Sequence, residues 1–141
     1  MFSRDYPATL TPNGEGGFIV SFRDVPEAIT EIWSMDELQD TAVDALVTVL
    51  EMYFEKNRVF LEPSKPKKNE VMVALPLIVV AKMLLLNVMV SSNIRPCDLA
   101  RKMHIKPQEV NRIIDLQHKT KLDTIDSAMR ALGKSLQLTV V

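Results

Sequence analysis

Gln108, Asn111 and Arg112 fall at i, i+3 and i+4, a spacing that puts three side chains on one face of a helix. Their chemistry suits reading nucleotide bases, because side-chain amides pair with adenine and a guanidinium pairs with guanine. Val110 and Ile113 point to the opposite face and are apolar, so the same helix has a side that must be buried. Lys106 stands just before this helix, and His118, Lys119 and Lys121 follow it. Donors placed there suit phosphates, which add affinity and salt dependence without sequence information. A reading helix needs a partner helix to hold it. Residues 98–114 have the spacing of two short helices joined by a tight turn, with Leu99, Met103, Ile105, Val110 and Ile113 as the apolar contacts. Ala100 falls where the two helices approach most closely and a small side chain is needed. His104 occupies the turn, where glycine is usual because φ is often positive; histidine tolerates that conformation better than most residues. The pattern is that of a helix-turn-helix, with an ordinary helical hairpin in a core as the alternative.

Other chemistry finds little support. His104 and His118 are the only histidines, one in the expected turn and one in a basic loop, and neither has a nucleophile or metal cluster beside it. Asp24 and the carboxylates of the first long helix could in principle hold a metal, but carboxylates on such a face are usually only solvated. The glycines around Gly14 lack a phosphate-loop pattern and read as hairpin chemistry. Cys97 is the single cysteine, which excludes a disulfide framework within one chain. No catalytic residue, cofactor site or metal site is expected.

The remaining elements follow from patterning. Residues 6–10 read as a strand, residues 11–17 as a glycine-rich turn, and residues 18–22 as the returning strand. Residues 28–33 form a third. Ser34-Met35-Asp36-Glu37 is a capping box, and a helix with one apolar stripe runs from about residue 35 to residue 56. Trp33 is expected to pack against that helix, with an exposed position at a partner-binding surface as the alternative. Residues 62–69, with two prolines and three lysines, are a loop and candidate linker, and residues 70–75 read as a strand returning to the sheet. After Pro76 the pattern becomes helical: residues 77–90, apolar nearly all round, then about 96–103, 107–116 and 122–132. Prolines fit the first turn of the helices they open.

Charge divides the chain. Residues 1–62 hold four basic and twelve acidic side chains, a net of −8, while residues 77–141 hold ten basic and five acidic, a net of +5. Two surfaces with different partners are implied. Residues 71–90 have the length of a spanning helix, but Lys82 would sit near the bilayer centre and Pro76 splits the stretch, so no membrane association is expected. The start of the sequence has no apolar signal-peptide core, and with one cysteine this points to the cytoplasm.

Residues 136–141 alternate like a strand inside an otherwise helical domain. A strand without a neighbour leaves backbone groups unpaired. The expected solution is pairing with a second subunit through Leu136, Leu138 and Val140, giving a homodimer or higher oligomer that presents two reading helices to palindromic DNA. Pairing with the N-terminal sheet is the alternative.

Several segments together resemble the HicB antitoxins of bacterial HicA–HicB toxin–antitoxin systems. They are Tyr6-Pro7-Ala8-Thr9-Leu10, Glu15-Gly16-Gly17-Phe18-Ile19-Val20-Ser21-Phe22, Asp24-Val25-Pro26-Glu27-Ala28, Asp44-Ala45-Leu46, Tyr53-Phe54-Glu55, Leu84-Leu85-Leu86-Asn87, Asp98-Leu99-Ala100-Arg101-Lys102 and Ala131-Leu132-Gly133-Lys134. The resemblance implies a partial, catalytically inactive RNase H-like domain over residues 1–75 that binds a HicA-type, mRNA-cleaving toxin. It also implies a DNA-binding and dimerisation domain over residues 76–141 that represses its own operon at double-stranded operator DNA. The fold class expected is α+β: a small antiparallel sheet with a long helix, then an all-α helix-turn-helix domain with a terminal strand. A stand-alone regulator with a small-molecule-sensing N-terminal domain is the second reading, and a metal-dependent ribonuclease using Asp24 the third.

Overall fold

Four strands open the computed structural model, which describes all of residues 1–141: β1 (Asp5–Pro12), β2 (Phe18–Ser21), β3 (Ile29–Ile32) and, after a long helix, β4 (Val71–Ala74). They form one antiparallel sheet in the order β3-β2-β1-β4. Tyr6 and Ala8 of β1, Val20 of β2, Ile32 of β3 and Val73 of β4 alternate onto the buried side. The hairpin between β1 and β2 is closed by Asn13, whose side-chain oxygen accepts from the Glu15 and Gly17 amides at 2.8 and 3.0 Å. Gly17 is required here: a Cβ would stand 2.5 Å from the Ile32 carbonyl oxygen and 2.8 Å from the Trp33 ring.

Ser34 starts the helical segment as its pattern predicts. Its hydroxyl accepts from the Asp36 amide, and Glu37 reaches back to the Ser34 amide at 3.0 Å and the Trp33 amide at 2.6 Å. A short 3-10 turn (Met35–Glu37) leads into α1 (Leu38–Glu55), which buries Ala42, Leu46, Val47, Leu50 and Tyr53. The Trp33 ring lies against Gly17 and the residue is 54% exposed, in line with the second of its two readings. The loop expected as a linker is fastened down. Asp24 accepts from the Ser64 amide and hydroxyl at 2.8 and 2.7 Å, Pro63 is buried, and Arg23 bonds both the Lys65 carbonyl and Glu70.

Four helices follow: α2 (Leu77–Ser91), α3 (Pro96–Met103), α4 (Pro107–Ile114) and α5 (Leu122–Ala131). The nearly uniform apolar character of α2 matches its position, because it is buried on most sides and packs against α4 and α5. α3 packs against α4 and α5. Gly133 ends α5 at φ +78°, and the Lys134 amide returns to the Met129 carbonyl at 2.9 Å. Helix α4 stops two residues earlier than expected, where Asp115 turns to extended backbone (φ −78°, ψ 112°). The terminal strand expected over residues 136–141 is not formed within the single chain, and neither is its pairing with the sheet. The Leu136 amide is held by Asp126 at 3.0 Å; beyond it Leu138 and Val140 are exposed.

The chain divides into two compact units. One comprises Met1–Tyr53 and Leu61–Pro76, the other Phe54–Phe60 and Leu77–Val141. Their net charges are −7 (five basic, twelve acidic) and +6 (twelve basic, six acidic).

Candidate nucleic-acid interface

The helix pair α3–α4 is built as its spacing requires. Leu99 and Ala100 of α3 and Val110 and Ile113 of α4 are buried, while Met103 and Ile105 are half-buried around the turn. His104 adopts the left-handed conformation (φ 56°, ψ 43°), and the Ile105 amide reaches the Ala100 carbonyl at 3.1 Å. Neither helix has a hydroxyl cap. At α3 the substitute is Asp98, whose carboxylate accepts from the Arg95 amide at 2.9 Å and is flanked by the Arg95 and Arg101 guanidinium groups. The Arg95 side-chain bond, then the backbone amide and the charges of both arginines, hold the Asp98 carboxyl down at about 2, against an ordinary 3.8. Asp98 therefore stays ionised well into acid.

Gln108, Asn111 and Arg112 lie on the exposed side of α4, opposite Val110 and Ile113. Lys106, His118, Lys119 and Lys121 are also exposed, one at the start of α4 and three in the segment after it. An exposed strip with two amides and a guanidinium, bordered by cations, has the donors and acceptors for base edges and phosphates. Of the residues expected to dimerise, Leu136 is half-buried and Leu138 and Val140 are exposed.

Two polar positions of α2 whose partners lie far along the chain escaped the sequence reading. Lys82 appears there only as an obstacle to membrane insertion, and Asn87 only within a segment that carries the family resemblance. Lys82 is completely buried, and its ammonium donates to the carbonyls of Arg112 (3.0 Å), Asp115 (2.7 Å) and His118 (2.7 Å). Burial pushes its pKa down, and the nearby charge of Asp115 pulls it back up. Asn87 pairs with both backbone groups of Phe60, at 2.6 and 2.8 Å. The partners lie about thirty residues away in each case, beyond any local pattern; a lone cation in an apolar helix that is too short to span a membrane was the available signal. No group of three or more histidine, cysteine, aspartate or glutamate side chains comes together. No single helix is long and apolar enough to cross a membrane.

Fold and surface define an α+β protein in which an acidic sheet-and-helix unit is joined to a basic helix-turn-helix unit. The family model described as the HicB-like antitoxin of bacterial toxin–antitoxin systems matches residues 5–84. Antitoxin HicB of Escherichia coli (strain K12) is 43% identical over 136 residues, covering 96% of this chain and 99% of that protein. Antitoxin HicB 1 of Photorhabdus laumondii is 43% identical over 135 residues, 96% of this chain and 86% of the relative. Antitoxin HicB of Pseudomonas fluorescens is 26% identical over 126 residues, 89% and 86% of the two chains. The chain belongs to the HicB-like antitoxin family.

Proposed function

We propose that this antitoxin acts in the cytoplasm with two surfaces and no catalysis of its own. The acidic unit binds a HicA-type, mRNA-cleaving toxin and covers its RNA-binding or catalytic surface. The basic unit binds operator DNA as a dimer and represses the operon that encodes both proteins. The observation that carries the second role is the exposed strip of Gln108, Asn111 and Arg112 on a helix whose other face is Val110 and Ile113. Lys106, His118, Lys119 and Lys121 surround it and suit the phosphate backbone. The charge division supports the first role, since an acidic surface attracts a small basic toxin.

Co-purification with the product of the neighbouring gene, followed by an operator shift assay, tests both roles. Arg112→Ala should weaken operator binding by about 1–3 kcal/mol, relax the preference for operator over random DNA, and leave toxin neutralisation unchanged. Equal loss on operator and random DNA would remove Arg112 from base reading.

A further inference from the structure

We infer that Lys82 is the positioning residue of the DNA-reading element: its buried ammonium sets where α4 ends and how the following segment leaves it. The inference rests on the DNA-reading role proposed for α4 and adds to it a device on a different helix.

An ammonium has three protons and no acceptor, so burial is tolerable only when all three are used. Lys82 uses all three on main-chain oxygens, those of Arg112, Asp115 and His118. The last carbonyls of a helix have no partner inside it, and the helix dipole concentrates negative potential there. A cation meets both needs at the end of α4, which is only eight residues long. The three oxygens belong to successive stages of one path. Arg112 is a proposed base reader, Asp115 is the residue at which the helix stops, and His118 begins the proposed phosphate-contact segment. One side chain therefore ties the reading helix to the donors that follow it. The segment is tightened further by the His118 amide on the Asp115 carbonyl (3.1 Å) and the Gln117 amide on the Asp115 carboxylate (2.9 Å). The charge of Asp115 favours the charged form of the ammonium, against the burial that disfavours it. Since Lys82 itself has no exposed surface, it cannot touch DNA and must act through backbone placement.

The test compares wild type with Lys82→Met and with the milder Lys82→Gln, which keeps two donors. Binding to operator and to random duplex is measured across a salt series, at a temperature where circular dichroism shows each variant folded. Both variants should lose at least about tenfold in the ratio of operator to random affinity, Met more than Gln, and the salt slope should become shallower by about one. Toxin binding should be unchanged. A stability role alone would leave the ratio untouched for folded molecules, and an unchanged ratio overturns the proposal. Equal weakening on both duplexes would make Lys82 merely a source of positive field, and also overturns it. Failure of both variants to fold overturns it too, because Lys82 would then serve the whole unit and not its reading element. If wild type shows no operator preference, the DNA-reading role falls, and hydrogen exchange decides the clamp separately. Amides of residues 113–121 should exchange faster in Lys82→Gln while those around Leu99 and Ile125 do not; identical exchange sinks the clamp.

Discussion

His104 sits at φ 56° and ψ 43°, a conformation that costs an ordinary L-residue roughly 1–2 kcal/mol. The strain is accepted because the turn between α3 and α4 must reverse within three residues, and the amides of His104 and Ile105 close it on the Arg101 and Ala100 carbonyls. The side chain itself is exposed, so the residue matters through its backbone. His104→Val, β-branched and intolerant of positive φ, should lower stability by about 1–2 kcal/mol, whereas His104→Gly should not lower it; urea unfolding measures both. A loss of equal size in the glycine variant would show that the imidazole has a role of its own. This turn was legible from sequence because the constraint is local: spacing fixed the turn, and histidine is among the residues that accept it. Trp33 was only partly legible: its exposure was one of two readings, but its place over Gly17 depends on where β3 lies beside the hairpin.

At the scale of elements, periodicity located nearly every strand and helix, because each has one face to bury. Boundaries shifted by one to three residues, and at the end of α4 a distant partner stands at the shifted boundary. α4 ends at Ile114 and not two residues later, and Lys82 takes the carbonyls of Asp115 and His118 just beyond that end. α2 has no amphipathic pattern to interpret, and the contacts of Lys82 and Asn87 are visible only in three dimensions. Asn87 acts like one rung of a sheet, its amide accepting from the Phe60 N–H and donating to the Phe60 carbonyl. That pair ties residues 54–60, which belong to the helical unit, onto α2. Asn87→Ala removes two hydrogen bonds to a half-buried site and should cost about 1–3 kcal/mol. Exchange of the Phe60 amide should rise with it, while the β1 and β2 amides keep their protection. Equal protection of Phe60 in both proteins would assign the anchoring to apolar packing.

For the whole molecule, composition was the most informative guide, since a net charge near zero conceals units of −7 and +6. On the proposed function, such a division keeps DNA away from one unit and draws it to the other. What a single sequence handles worst is symmetry, because a contact with a second copy has no partner inside the chain. On the proposed dimer, the tail is the case in point. Asp126, held ionised below its usual range by Arg130 and the Leu136 amide, fixes where the tail begins. Past that point Leu138 and Val140 are exposed, Val140 fully, on backbone without strand pairing. Alternating apolar residues on an unpaired extended segment would gain hydrogen bonds and burial together by pairing with the same segment of another copy. Removing residues 137–141 leaves Leu136 on its Asp126 anchor and takes away Leu138 and Val140, two of the three residues expected to pair. The truncated protein should therefore sediment as a monomer at concentrations where the full chain is a dimer, and it should bind one operator half-site far more weakly than the full chain binds two. A truncated chain that still sediments as a dimer would place the two-fold contact elsewhere in the helical unit.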